Sequence, residues 1–405
     1  MVYMAGDNNL SNDLLIDLEE IRKGGSSERI NVAVQIDTMN STTKRVFLQD
    51  GQTSATEDIG EQNMADPATL KEFVQWAQNR FPARRYALIL SSHGNGLAKT
   101  RPHKKEMILT KILQDDTDGI SCCLSNTIVR EALEDSNVFF DLLGFDASQM
   151  GQIETAYEFR DIADILVFSQ ETGQANGWDY TAILKSLKDN PFAEGDELAD
   201  IIVSSYRSFY EDIYYPEYPE VEQYLTISAI NLNNGLNNGI DNLAVDIDAL
   251  SILLMQCLSS GDTGERDQML NIISDAIEDT QELNQYTVPH VYLDFFDLIK
   301  KLNKILNEEP TLPSQLKQIE VKTAAMLTRR NEIILSEYHG NARQGANGLS
   351  ILFFRLPDAA QYPVFNELFK QFDPYTGEGK QVQFFQDTHW DDFLVTYYHK
   401  AGMLQ

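Results

Sequence analysis

A repeated alternation of short apolar runs with stretches of helical period constrains this chain most. Six runs read as buried strands: NVAVQID (31–37), RVFLQD (45–50), YALILSSHG (86–94), LLGFDAS (142–148), ADILVFSQE (163–171) and LTISAINL (225–232). Between them lie helical patterns with start signals. LSNDLLIDLEEIRKG puts Leu14, Leu18 and Ile21 on one face, with Ser11 as the expected N-cap. DPATLKEFVQWAQNRF opens on Asp66 as cap and Pro67 at the first helical position. LSNTIVREALED starts from Ser125, with Ile128, Val129 and Leu133 apolar. Strands that alternate with helices form right-handed crossovers, hence a mostly parallel sheet. Continuously apolar strands such as ALIL suit a sheet covered on both faces.

The 405 residues exceed what one hydrophobic core usually serves, so two domains are expected. The texture changes after residue 245. Long helical segments follow, such as AVDIDALSILLMQCLSS and DFFDLIKKLNKILN, and then two strand-like runs, NEIILSEYH and NGLSILFF. The expectation is an α/β domain over 1–245 and an α-rich domain with a small sheet over 246–405.

Charge narrows the partners. A net charge of −30 argues against nucleic-acid binding, which needs a basic face. No apolar run reaches the length of a membrane span. MVYMAGDNNL reads as a strand and turn rather than a signal peptide. Cys122, Cys123 and Cys257 make no disulfide framework, and no Cys or His spacing resembles a zinc site.

In open α/β sheets, ligands sit at the carboxyl ends of strands. Two strands here end in reactive side chains. YALILSSHGNG ends in His93, followed by Gly94, and LLGFDAS ends in Ser148. An imidazole and a nucleophile position on neighbouring strand ends make a dyad. Backbone N–H groups at Gly94 and Ser148 are the candidates for stabilising an oxyanion. The flanks of Ser148 do not form G-x-S-x-G, which disfavours an α/β-hydrolase elbow. From the residues alone the reading stops at an α/β protein with possible His-dependent hydrolysis.

One segment is basic in an acidic chain. LAKTRPHKKEMILTKILQDDTDG (97–119) carries Lys99, Arg101, Lys104, Lys105 and Lys111. A charge run of this kind is usually a solvated loop. The functional alternative is a cleavage loop.

VYMAGDNNL (2–10), NVAVQID, YALILSSHGNG, GFDASQMGQIETAYEFRDIADILVFSQE and NGWDY (176–180) resemble, in order, blocks of the clostripain family of cysteine peptidases, in the caspase-like clan. The resemblance implies a caspase-like, mostly parallel sheet flanked by helices. It puts the catalytic His at His93 and the catalytic Cys where this chain has Ser148. It implies cleavage after Arg or Lys, with Asp146 reading the basic side chain and Asp179 and Trp178 lining the site. It implies a self-processing zymogen cut within the basic loop, at Lys105, Arg101 or Lys104. Pro102 disfavours a cut directly after Arg101. The uncut loop would act as an inhibitor. Secretion, periplasmic location or surface display in a bacterium is also implied.

Some members of the family need calcium. QDDTDG (114–119) is carboxylate-rich but lacks the spaced oxygens of an EF-hand, so a solvated acidic turn is expected there and no metal site. Cys122 and Cys123 precede LLGFDAS and cannot stand in for the missing nucleophile. A hydroxyl is a poor substitute for a thiolate, so Ser148 reads as an inactivating replacement. The otherwise intact motif favours an introduced change. The alternatives are a natural pseudopeptidase that binds basic peptides and a serine hydrolase using Ser148, which would need a third group to orient His93.

Overall fold

The computed structural model describes residues 1–48, 55–94, 112–116, 122–232, 239–283, 292–309, 311–353, 370–372 and 379–403. The central strands are β1 (Val2–Gly6), β2 (Val32–Thr38), β3 (Lys44–Leu48), β4 (Ala55–Asp58) and β5 (Ala87–Ser91). A short hairpin of β6 (Ile112–Asp115) and β7 (Cys122–Leu124) follows, then β8 (Phe140–Asp146), β9 (Ala163–Phe168) and β10 (Thr226–Asn231). The chain adds β11 (Glu282–Leu283), β12 (Tyr292–Asp294), β13 (Ile334–His339) and β14 (Ser350–Leu352).

Nine strands form one sheet in the order β13-β10-β9-β8-β5-β1-β2-β3-β4. The five in the middle, β9 to β2, run parallel. The outer strands are antiparallel: β3 and β4 at one edge, β10 and β13 at the other. RVFLQD was expected as a buried strand like the rest. Burial along β3 instead alternates, with Val46 and Leu48 buried and Lys44, Arg45 and Phe47 half-buried, the signature of a strand near an edge.

Six helices cover the sheet: α1 (Ser11–Gly24), α2 (Pro67–Arg80), α3 (Asn126–Ser136), α4 (Ile153–Glu158), α5 (Tyr180–Asp189) and α6 (Gly195–Ser208). The two-residue period of the strands divides their side chains between two cores. Tyr3, Ala5, Leu88, Leu90, Leu143 and Phe145 meet α2, α3 and α4 on one face. Val2, Met4, Leu142 and Val167 meet Leu14, Leu18 and Ile21 of α1, with α5 and α6, on the other. Two of the three expected caps are present: Asp66 accepts from Ala68 N at 2.8 Å, and Ser125 from Ile128 N at 3.3 Å. Ser11 is not the cap of α1. Leu10 takes that place, and the Ser11 hydroxyl accepts instead from Met39 N at 3.1 Å, tying the helix start to the end of β2.

The C-terminal part is built into the same body. The expected boundary at 245 falls inside the helix Gly239–Leu258, whose apolar face joins the core under α3 and α4. NEIILSEYH does not enter a separate small sheet; it supplies β13, paired with β10. NGLSILFF supplies β14 of a three-stranded sheet with β12 and β11. This region grips the loops that follow β8 and β9. Ser350 N donates to Gly151 O at 2.9 Å, Leu352 N donates to Glu154 Oε1 at 2.9 Å, and Gln170 Nε2 donates to Asp294 Oδ2 at 3.0 Å.

The deepest of these links is an ion pair. Arg343 Nε donates to Glu171 Oε1 at 2.6 Å, with side chains 1% and 0% exposed. Removing one partner would leave a buried uncompensated charge. Arg343→Ala is expected to lower unfolding free energy by about 3 kcal/mol, read from denaturant midpoints with an unchanged m-value. A shift under about 1 kcal/mol would mean that water reaches Glu171.

Candidate functional site

Register brings the two expected strand ends together. β5 and β8 are parallel neighbours, and Ser91 lies opposite Asp146. His93 and Ser148 each follow two residues later, so both emerge at the same level of the sheet. The crossing is tight. A Cβ on Gly94 would lie 2.5 Å from Ser148 O and 3.0 Å from Ala147 Cβ. Only glycine allows that approach without moving the backbone that carries Ser148. Gly94→Ala is therefore expected to cost at least about tenfold in any turnover by an active form, since sub-ångström displacements at the reacting centre are expensive. The unfolding midpoint should fall as well, because the atom the Cβ meets is backbone.

Ser148 begins a turn held from several sides. Gln149 has a positive φ of 60°, uncommon for a residue with a side chain. Its N–H donates to Glu171 O at 3.0 Å, and Gly151 N donates to Ser169 O at 2.8 Å. The loop after β9 thus fixes the turn after β8. The same loop reaches the hydroxyl itself, with Gly173 N donating to Ser148 Oγ at 3.0 Å.

Sequence reasoning found no group to orient His93. The structure supplies Asn9, whose Oδ1 lies 2.7 Å from His93 Nε2. With the amide oxygen accepting, Nε2 carries the proton and Nδ1 is the lone-pair nitrogen. The signal was present as the polar turn Asp7-Asn8-Asn9 after β1, but nothing in one sequence tells which of the three faces the histidine.

His93 and Ser148 line one cavity of about 210 Å³, with Ser91, Asp146, Gly173, Gly177, Trp178 and the α1 residues Asp13 and Asp17 among its walls. Asp146 ends β8 and lines the same cavity as Ser148. Its Oδ2 accepts from Tyr180 OH at 2.9 Å and from Trp178 N at 3.4 Å. Gly177, at φ +57°, lets the chain pass so close that a Cβ would sit 2.9 Å from that oxygen. Burial pushes the Asp146 carboxyl above the usual range, and the two hydrogen bonds offset part of the rise.

Asp17 was not foreseen. It sits on the buried face of α1, 3% exposed, between the apolar positions that defined the helix. Burial raises its pKa first, and the nearby Asp146, Glu20 and Asp13 raise it further. A carboxyl on an apolar helix face is the signal that was available. Trp178 is buried against Gly144 and forms part of the wall. Asp179 is placed otherwise than expected: it caps α5, its Oδ1 accepting from Ala182 N at 2.8 Å, and it is not among the residues lining the cavity.

Cys123 and Cys257 are buried thiols away from this cavity. Lys99, Arg101, Lys104, Lys105 and Lys111 lie outside the described residues. Gly94 and Ile112, on either side of that segment, bridge antiparallel, so the segment leaves and rejoins the fold beside His93. No helix among the described residues is long and apolar enough to cross a membrane.

The description of the Clostripain family matches residues 2–397, nearly the whole chain. The chain belongs to the clostripain family. A clostripain from Hathewaya histolytica is 25% identical over 87% of this chain and 73% of its own length. Two solved structures share the fold. An inactive zymogen C11 protease from Parabacteroides distasonis matches with a TM-score of 0.62 and 19% identity, covering 97% of this chain and 96% of its own. A secreted C11 cysteine protease from Bacteroides thetaiotaomicron, in complex with an irreversible peptide inhibitor, matches with a TM-score of 0.63 and 19% identity, covering 96% and 98%. The clostripain family is one of cysteine peptidases, and its large, mostly parallel sheet flanked by helices is the one described above.

Proposed function

We propose that this chain is the framework of an endopeptidase that cleaves after Arg or Lys, with Ser148 standing at the position of the nucleophilic cysteine. The observation that carries the reading is the shared cavity: His93 and Ser148 on adjacent strand ends, with three acidic side chains, Asp146, Asp17 and Asp13, in the same walls. In the active form His93, steered by Asn9, takes the thiol proton, and the thiolate attacks the carbonyl carbon of the scissile bond. The carbonyl oxygen becomes an oxyanion, held by the N–H groups at Gly94 and residue 148. The amine leaves with the proton from His93, and water then cleaves the acyl-enzyme. A basic side chain before the scissile bond enters the cavity and pairs with Asp146.

Two further parts of the reading rest on position. The basic segment leaves and rejoins the fold beside His93, which supports a zymogen whose own Lys105, Arg101 or Lys104 occupies the acidic cavity until it is cut. Export to the cell surface or beyond would place the enzyme among extracellular proteins, as with the secreted relative. With serine at 148 the chain binds basic peptides and turns them over poorly.

The deciding experiment compares the protein with its Ser148→Cys variant on fluorogenic peptides ending in Arg, Lys or Ala. A gel follows cleavage between residues 97 and 119. Cutting of Arg and Lys substrates and of the segment by the Cys form alone supports the proposal. Self-cleavage at another site would overturn the processing assignment, and efficient cutting after Ala would overturn the specificity.

A further inference from the structure

The walls of the cavity carry more negative charge than one basic side chain needs. Asp13, Asp17 and Asp146 all line it, and no lysine or arginine among the described residues does. Asp146 is partly engaged, since its Oδ2 accepts from Tyr180 OH and from Trp178 N. Glu20, further along α1, is engaged too, its Oε2 accepting from Tyr180 N at 3.2 Å. Away from the cavity, QDDTDG was expected as a solvated turn. It opens instead inside β6, where Asp115 is 0% exposed and accepts from Met64 N at 2.8 Å.

Asp13 and Asp17 stand apart from these. Neither carboxyl has a hydrogen bond or an ion pair among the described residues. Asp17 is 3% exposed, and it faces the cavity. A buried carboxyl is normally satisfied by donors or by a counter-charge. Asp13 sits one turn nearer the start of α1 and is half-buried. After burial, Asp146 and Glu20, it is the next group that pushes the Asp17 carboxyl up. Like charges four apart on a helix repel. The helix N-terminus favours an acid at Asp13, but it gives no reason for one at Asp17, a turn further in. Cations in the cavity would satisfy both.

We infer, on the peptidase reading, that the cavity selects doubly basic peptides: Asp17 joins Asp146 on the side chain before the scissile bond, and Asp13, at the mouth, holds a second basic side chain two residues earlier. Spacing picks that position. In an extended peptide, adjacent side chains leave opposite faces, and those two apart share a face about 6.6 Å from each other. Asp13 and Asp17, four residues apart on a helix, are separated by about 6 Å along its axis. The residue directly before the scissile one would point away from this wall. The chain's own basic segment carries the same spacing. Lys99 stands two before Arg101 and His103 two before Lys105, whereas Lys104 has Pro102 there. Lys104 is thereby the least favoured of the three candidate cut sites.

Binding by the serine form tests this without turnover. Fluorescein-labelled, amidated peptides ending in Ala-Ala-Arg, Lys-Ala-Arg, Ala-Lys-Arg and Ala-Ala-Ala are titrated with the protein and read by anisotropy at physiological salt. Lys-Ala-Arg is expected to bind about fivefold tighter than Ala-Ala-Arg, and Ala-Lys-Arg within about twofold of it. The Ala-Lys-Arg peptide controls for general attraction to an acidic protein, which salt screens. In Asp13→Asn the ratio of Kd between Lys-Ala-Arg and Ala-Ala-Arg should fall to near one, whatever the variant does to either peptide alone. In Asp146→Asn both peptides should weaken together and the ratio should persist. A melting curve checks that each variant folds. If Ala-Ala-Arg binds better than Ala-Ala-Ala but the gain from lysine is absent, equal at both positions, or unchanged in Asp13→Asn, the second subsite is overturned and the peptidase reading stands. If Ala-Ala-Arg binds no better than Ala-Ala-Ala, the peptidase reading falls, and the second subsite with it.

Discussion

Replacing Ser148 with Cys is expected to raise turnover of Arg and Lys peptides on the order of 10³-fold or more, from near background. The reason lies in what the site can do to a proton. A thiol has a pKa of about 8.5, within reach of a neighbouring imidazole. A serine hydroxyl loses its proton only as attack proceeds, which requires an imidazolium well stabilised by a buried carboxylate. Asn9, a neutral amide, places its Oδ1 on His93 Nε2 and steers the ring without itself adding charge. Gly173 N–H, already donating to the Oγ of Ser148, would favour a thiolate in the same place. The serine form should therefore stay unlabelled by fluorophosphonates. Labelling of Ser148 would restore the serine hydrolase reading. A folded Cys variant that binds basic peptides and cuts none would make the chain a pseudopeptidase.

The sequence showed the middle of the molecule better than its edges, and the cause is physical. Strands covered on both faces must be apolar throughout, so β2, β5, β8 and β9 stood out as runs. Their order in the sheet followed only from pairing, which no single run encodes. β13 was misplaced because its strand character says nothing about its partner: β10 is more than a hundred residues away and pairs with it antiparallel. Ser11 has the residue type of an N-cap, but a hydrogen bond from distant Met39 N claimed its hydroxyl. His93 and Ser148, the proposed pair, were legible as candidates because they sit where strands end and because their motifs resemble a known family. Asn9 and Asp17 were not, since each meets the cavity or the histidine through tertiary neighbours that local spacing leaves open. Asp179 shows the opposite case. A polar residue close in sequence to the site was needed to start α5.

Asp146→Asn, made in the Ser148→Cys background, is expected to cut kcat/KM for Arg and Lys peptides about 10³-fold, roughly 4 kcal/mol, while leaving Ala peptides within a few-fold. A cation entering this cavity gives up its water and must be repaid by a full negative charge. Asparagine keeps the size of Asp146, and its amide can accept from Tyr180 OH, so the wall should stand. What disappears is the charge. The pH profile gives an independent check with a definite sign. Burial has moved the Asp146 carboxyl up, and Asp17 beside it is raised further by burial and by like charge. In the free enzyme the pair therefore holds a proton to higher pH than an exposed carboxylate would. An incoming guanidinium or ammonium favours the ionised form and expels that proton. Affinity for basic substrates should fall as pH drops through the raised pKa of the pair, sooner than for an ordinary aspartate, and neutral peptides should not follow. Asp17, raised further than Asp146, still holds its own proton where Asp146 ionises, so Asp17→Asn should leave that fall nearly in place and cost less than Asp146→Asn. Equal losses on basic and neutral substrates would mean that Asp146 supports the turn at Ser148 rather than reading the side chain.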